Sequence, residues 1–84
     1  MITIRENLKR IRNHINFTQH GFGISFGSNK NAYQAYEDGR CFPSLEFIKK
    51  VIDVFEIEDV YSLLYGEVEL GDNINPHKLI KSLK

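Results

Sequence analysis

The chain has few of the residues that support small proteins covalently or through metal ions. Its 84 residues include a single cysteine, Cys41, so neither an internal disulfide nor a cluster of thiolate ligands can form. This cysteine usage is typical of the reducing cytoplasm, where we expect the protein to reside. No apolar run approaches the roughly 18 residues of a membrane-spanning helix, and the segment MITIRENLKR lacks the apolar core of a signal peptide. We therefore expect neither membrane insertion nor export.

Catalytic and cofactor-binding motifs are absent as well. The glycines of the segment GFGISFG fit neither the GxGxxG pattern nor the GxxxxGK phosphate-binding loop. His14, His20 and His77 lack the spacing of metal ligands, and no Ser, His and Asp arrangement is visible. A helical chain of this length leaves little room for an enclosed active site. The sequence therefore predicts a protein that is not an enzyme and that holds no metal or other cofactor.

The chain has no net charge, since 11 basic side chains balance 11 acidic ones, and this argues weakly against a nucleic-acid binder. The charges are unevenly distributed, however. Residues 1–40 carry six basic and three acidic side chains, a net charge of +3, whereas residues 41–84 carry five basic and eight acidic ones, a net charge of −3. A polyanionic partner would therefore prefer the first half of the chain.

Apolar residues recur at intervals of three and four along most of the chain, which is the spacing of amphipathic helices in a single small domain. Thr3 and Glu6 form a capping-box pattern at the first helix, and Asn75-Pro76 is typical of the start of a last one. The five predicted helices that precede the last one cover about residues 4–15, 19–26, 30–37, 45–55 and 59–65. In the fourth and fifth of these, the residues predicted to face inward are Leu45, Ile48, Val51, Ile52, Phe55, Val60, Leu63 and Leu64, with Ile57 between the two helices.

The segment from Thr18 to Gly39 is typical of two short helices joined by a tight turn. Gly27 supplies the left-handed backbone that such a turn requires, and Asn29 is suited to cap the second helix. In that second helix Tyr33 and Tyr36 share the inward side. The opposite, outward side carries Lys30, Asn31, Gln34 and Ala35.

This segment resembles the lambda repressor-like, Cro/XRE-type helix-turn-helix. That family starts with Thr-Gln, has a small residue five places in and a glycine at the turn, and closes with aromatic-Glu-x-Gly. The matching residues here are Thr18-Gln19, Gly23, Gly27 and Tyr36-Glu37-Asp38-Gly39. The resemblance covers about residues 3–66 and implies an all-α fold, a five-helix DNA-binding bundle in residues 1–66. Residues 67–84 would add an arm and an extra short C-terminal helix, as a possible dimerisation element.

The resemblance implies a sequence-specific DNA-binding transcriptional regulator of the prokaryotic or phage repressor type. Its recognition helix, about residues 29–37, would lie in the major groove of double-stranded operator DNA. Lys30 would donate to guanine, Asn31 and Gln34 would pair with adenine, and Ala35 would meet a thymine methyl. A homodimer would bind two half-sites about 34 Å apart.

Gln19 matches the family position that contacts a phosphate at the start of the second helix, and basic side chains nearby would add charge to that contact. The predicted phosphate contacts are Gln19, Asn29, Arg10 and Arg40, with Lys9 adding charge nearby. Arg12 and Glu37 occupy positions that the family pairs, so we expect a partly buried structural ion pair that orients the recognition helix. Gly23 would let that helix cross close above the preceding one.

Three residues depart from the family pattern: Gly21, Ser28 and Tyr33. They keep a second interpretation open, in which the chain is a protein-interaction module or an antitoxin that uses a degenerate helix-turn-helix fold. Its partner would bind residues 67–84, where Leu79, Ile80 and Leu83 need a surface to pack on. Removing residues 67–84 would then abolish partner capture and spare DNA binding, whereas Lys30→Glu would do the reverse.

Overall fold

A computed structural model describes residues 3–82, apart from the side chains of Lys30, Lys81 and Ser82. Within that part of the chain the fold is all-α, as expected, and contains no strand. The six helices are α1 (Ile4–His14), α2 (Gln19–Ser25), α3 (Lys30–Asp38), α4 (Leu45–Phe55), α5 (Val60–Tyr65) and α6 (Pro76–Ser82). None of these described helices is long and apolar enough to cross a membrane.

Most helices begin at a side chain that accepts a hydrogen bond from the first turn. Thr18, Asn29, Ser44 and Asp59 cap α2, α3, α4 and α5 in this way, because the first amide groups of a helix have no partner inside it. The capping box predicted at Thr3 is wrong. Its side chain makes no capping hydrogen bond, and α1 begins with the amide of Asn7 donating to the carbonyl of Thr3 at 3.0 Å.

One apolar core joins all six helices. Its buried members are Ile4, Leu8, Ile11, Ile15, Phe22, Phe26, Tyr33, Phe47, Ile48, Val51, Phe55, Ile57, Leu63, Val68, Ile74 and Leu79. Two inward assignments are wrong, since Leu45 is 83% exposed and Val60 is 37% exposed. Both are the first residue of their helix, and because helical side chains tilt toward the N-terminus these two extend beyond the first turn and away from the core.

The C-terminal arm, residues 67–82, folds back on the rest of the chain. Val68, Ile74 and Leu79 are buried in the common core, and α6 packs on α4. Asn73 Nδ2 donates to the carbonyl of Phe55, which lies at the end of α4, at 2.7 Å. Leu79 therefore packs within its own chain and gives no reason for a dimer; Ile80 stays half-exposed, and Leu83 lies outside the described residues.

Candidate nucleic-acid interface

A tight turn sets the direction of α3 relative to α2. Gly27 adopts φ +81°, the left-handed conformation that a glycine adopts without strain. The amide of Ser28 donates to the carbonyl of Gly23 at 2.8 Å, which closes the end of α2. Asn29 Oδ1 then accepts from the amide of Ala32 at 2.8 Å and starts α3. The two helices predicted in this segment and the turn between them are therefore present.

The two helices approach each other closely at Gly23. A Cβ atom added there would lie only 2.8 Å from Cβ of Tyr33, which is well inside van der Waals contact. Tyr33 is fully buried, and its ring lies 5.2 Å from that of Phe22 and 5.7 Å from that of Phe47. A glycine at position 23 is thus what allows α3, with a tyrosine on its inner side, to lie on α2.

The outer side of α3 carries amide groups. Asn31 is exposed, and Gln34 and Ala35 are each partly exposed, while Tyr33 occupies the buried side. Asn31, Gln34 and Ala35 follow at intervals of three and four, so they share one side of the helix. The backbone of Lys30 forms the first residue of α3, but its side chain lies outside the described part of the structure.

A polar network fixes α3 to α1 and to the start of α2. Arg12 Nε donates to Glu37 Oε2 at 2.6 Å and Arg12 Nη2 donates to Glu37 Oε1 at 3.1 Å, so the ion pair is bidentate. Gln19 Nε2 donates to the same Oε1 atom at 3.1 Å. Arg12 Nη1 also donates to the carbonyl of Phe17, at 2.9 Å, which holds the connection between α1 and α2. The Arg12 and Glu37 side chains are 13% and 3% exposed.

Electrostatics within this network favour the charged pair. Burial raises the pKa of Glu37, but the hydrogen bonds from Arg12 and Gln19 outweigh it and bring the pKa below its usual value. The hydrogen bond to Glu37 raises the pKa of Arg12 in turn. Burial, reinforced by the nearby Glu37 carboxylate, raises the pKa of Tyr33, whose hydroxyl has no hydrogen-bond partner of good geometry among the described residues. The tyrosine is therefore neutral and the pair is ionised at neutral pH.

The residues assigned to phosphate contacts do not share one location. Arg10 lies on a different side of α1 from Arg12. Its guanidinium donates to Asn7 Oδ1 at 2.9 Å and to the carbonyl of Val68 at 2.8 Å, with Glu67 at 3.6 Å. The structure thus turns Arg10 toward the C-terminal arm and away from α3. Arg40 is exposed, follows α3, and forms an ion pair with Asp38 at 3.2 Å.

Gln19 and Asn29, the other two residues predicted to contact phosphates, both use their side chains in hydrogen bonds within the protein. Gln19 is engaged with Glu37, so its side chain holds α3 rather than pointing away from the molecule. The side-chain oxygen of Asn29 is used in capping α3, and the residue remains exposed. Of the four predicted phosphate contacts, Asn29 and Arg40 keep exposed side chains next to α3.

Asn7 is a structural residue that the sequence interpretation missed. It is fully buried, and its Nδ2 atom lies 2.8–3.0 Å from the carbonyl oxygens of Ser62, Leu63 and Gly66 at the end of α5. Its Oδ1 atom accepts from the amide of Val68 at 3.2 Å. The signal was present in the sequence, since Asn7 lies three residues after Ile4 and four before Ile11, on the apolar side of α1.

Comparison of the chain with protein-family models, with curated proteins and with solved structures finds no match.

Proposed function

We propose that the protein is a sequence-specific DNA-binding transcriptional regulator with a lambda repressor-like helix-turn-helix, in which α3 reads the major groove. The observation that supports this most is the combination at α3 of a buried inner side and an amide-bearing outer side, after a left-handed turn at Gly27. A helix that presents amides in this way suits the edges of bases, whose donors and acceptors are distinct for each base pair in the major groove.

Base recognition is assigned to Lys30, Asn31, Gln34 and Ala35. Asn31 and Gln34 are suited to bidentate pairing with adenine, and each good pair gives about 1–3 kcal/mol of discrimination. The ion pair of Arg12 with Glu37 has a positioning role, because it fixes the helix from behind without contacting DNA. A nine-residue helix held in this way loses little freedom on binding.

A homodimer on a two-fold operator in the cytoplasm of a prokaryote is the arrangement that this type of domain favours. The two copies of α3 would then enter successive major grooves on one side of the duplex, about 34 Å apart. Analytical ultracentrifugation with and without operator DNA tests this part separately. A complex with one copy of the chain per duplex would contradict it.

The proposal is tested by selecting duplexes from a random pool with the purified protein and titrating the selected sequence at several salt concentrations. We expect a recurrent sequence, bound at least about 1,000-fold more tightly than random duplex. Lys30→Glu should abolish this binding, because it places a negative charge at the first turn of α3. Equal affinity for selected and random duplexes would contradict the proposal.

A second candidate function, a protein-interaction module or antitoxin, is favoured by the exposed side of α5. Tyr61 and Tyr65 are 73% and 55% exposed, and their rings lie 5.3 Å apart. Exposed tyrosines of this kind are enriched at protein interfaces. In that case Tyr61→Ser with Tyr65→Ser should abolish capture of the partner, whereas Lys30→Glu should leave it unchanged.

A further inference from the structure

We infer that Arg5, Lys9 and Arg40 form a cationic edge at the end of α3 that binds the phosphates of the DNA backbone. This inference rests on the proposed DNA-binding function and adds to it the part of the protein that contacts the strand. It gives Arg5 a role that the motif does not indicate and removes Arg10 from the phosphate contacts. The cationic edge is defined by those three residues.

Arg5 is positioned by the glycine that ends α3. Gly39 has φ +78°, and a Cβ atom added to it would lie 3.1 Å from Nη1 and 3.2 Å from Cδ of Arg5. The arginine side chain therefore crosses directly over the end of α3, in space that a larger residue at position 39 would occupy. This contact brings a guanidinium from α1 to the side of the recognition helix.

Lys9 and Arg40 extend the same edge. Lys9 lies four residues after Arg5 and three before Arg12, so the three residues share one side of α1. Arg5 contacts Gly39 and Arg12 contacts Glu37, so this side of α1 is directed toward α3 and its end. Lys9 is exposed, so its charge lies on the outer part of this side of α1. Arg40 follows Gly39 directly, and together with Arg5 it lines a groove of about 380 Å³ that also includes Tyr36 and Phe42.

Three acidic residues lie in or near this edge: Glu37 and Asp38, which are already compensated, and the exposed Glu6 of α1, whose single charge does not balance those of Arg5 and Lys9. Glu37 is paired with Arg12, and Asp38 is paired with Arg40 in an exposed contact that a phosphate can replace. No ion pair among the described residues involves Arg5 or Lys9. The edge therefore keeps an excess of positive charge, whereas Arg10 is paired with Glu67 and faces the C-terminal arm.

The location suits the geometry of a helix in the major groove. At 1.5 Å per residue, the nine residues of α3 span about 13 Å, similar to the groove width of about 12 Å. When the first turns of such a helix contact the bases, its end lies beside the phosphates that border the groove. Cations at that end are then placed to contact the backbone without reading sequence.

The test compares Arg5→Gln with Lys78→Gln on the selected duplex. Both variants remove one positive charge. Lys78 lies on α6 and pairs with Glu56, which follows the end of α4, whereas Arg40 of the cationic edge precedes the start of α4. Lys78 is therefore at the other end of α4 from the cationic edge. We expect Arg5→Gln to reduce the slope of log K against log salt by about one and to weaken binding about tenfold at 50 mM salt. The preference among sequences should not change, and Lys78→Gln should leave the slope unchanged.

A purely structural role for Arg5 gives a different result. A cation at the end of a helix also stabilises it, so thermal unfolding of each variant is measured in parallel. Arg5→Lys retains the charge and should retain the salt slope even where it lowers the melting temperature. An unchanged slope for Arg5→Gln, with wild-type protein that binds DNA, overturns this inference alone; absence of duplex binding by the wild type overturns the proposed function as well.

Discussion

The α2 and α3 pair, residues 18–39, and the C-terminal arm are both attached to α1 by polar side chains, but they differ in what they leave exposed. Arg12 of α1 holds α3 through Glu37, and Asn7 of α1 holds the end of α5 and the start of the arm. The arm uses its apolar residues to complete the core. In contrast, α3 keeps amide groups on its outer side, where nothing in the fold requires them.

Under the proposed function, this difference separates the outer side of α3, which would bind DNA, from the C-terminal arm, which stabilises the fold. Solvated polar side chains on the outer side of α3 contribute little to stability. Their substitution should therefore alter the proposed DNA binding and leave folding unchanged. Substitutions in the arm should do the opposite, since Val68, Ile74 and Leu79 each remove apolar surface from water. The predictions that follow test this separation.

Removal of residues 67–84 should have the largest effect. Loss of three buried apolar side chains removes about 5 kcal/mol or more, comparable to the whole stability of a small domain of about 5–15 kcal/mol. We expect the shortened chain to lose its helical circular dichroism signal and, with it, DNA binding. This reverses the expectation from the sequence that the deletion spares DNA binding.

Point variants in α6 give the matched form of that experiment. Leu79→Ala should lower the free energy of unfolding by about 2–5 kcal/mol, whereas Ile80→Ala, at the neighbouring half-exposed position, should lower it by less than about 1 kcal/mol. Urea denaturation measures both. A shortened chain that unfolds at the same urea concentration as the wild type would mean that the arm is not part of the core.

Asn7→Ala should have the next largest effect. The substitution removes the partner of the Leu63 and Gly66 carbonyls and of the Val68 amide, at about 1–3 kcal/mol for each group that stays buried, whereas the carbonyl of Ser62 keeps the amide of Gly66. We expect a loss of about 4 kcal/mol by urea denaturation. Asn13→Ala, at an exposed position of α1, is the control and should change stability by less than about 0.5 kcal/mol. Similar losses in the two variants would refute the role of Asn7.

Two glycines of α2 provide a smaller contrast. Gly23→Ala forces a Cβ against Cβ of Tyr33 at 2.8 Å and should cost about 1–3 kcal/mol, because α3 must move. Gly21→Ala meets Thr18 Oγ1 at 3.2 Å and Phe17 Cδ2 at an ordinary contact distance of 3.8 Å, and it gains about 1 kcal/mol of helix propensity, so its net effect should be below about 1 kcal/mol. Thermal unfolding distinguishes the two. Equal destabilisation would mean that close approach at Gly23 is not what the fold requires.

The pH dependence of stability should show the contribution of Glu37. Because the pKa of its carboxyl group is lowered in the folded state, the stabilisation is fully present above the usual value of about 4.3 and is lost as pH falls through the folded value. We expect Glu37→Gln to flatten the fall in stability of the wild type below about pH 4.5, measured by urea denaturation at each pH. Parallel curves for the two proteins would contradict this contribution.

Much of the helical layout could be predicted because its signals are local. The cap at Thr18, the turn at Gly27 and the intervals between apolar residues each act within a few positions, and the predicted bounds of α2 and α3 are within one residue of those in the structure. Spacing alone also predicts that Tyr33 lies on the inner side of α3, where it is buried.

Contacts between distant parts of the chain could not be predicted in the same way. The position of Asn7 beneath the end of α5 joins residues more than 50 positions apart, and the contact of Arg5 with Gly39 depends on how α1 crosses α3. The sequence interpretation assigns Arg10 to phosphates from its charge. Adjacent residues on a helix point in different directions, and the arm that receives Arg10 returns from far along the chain.

The sequence preference of a Gln34→Ala variant tests DNA reading by α3 most directly. Gln34 is on the outer side of α3, so the variant should fold with unchanged stability and lose preference at one base pair of each half-site, by about 5–100-fold. The other positions of the selected sequence should be bound as before. A variant that discriminates among all base pairs as well as the wild type, or a wild-type protein without any preference, would show that this side of α3 does not read DNA.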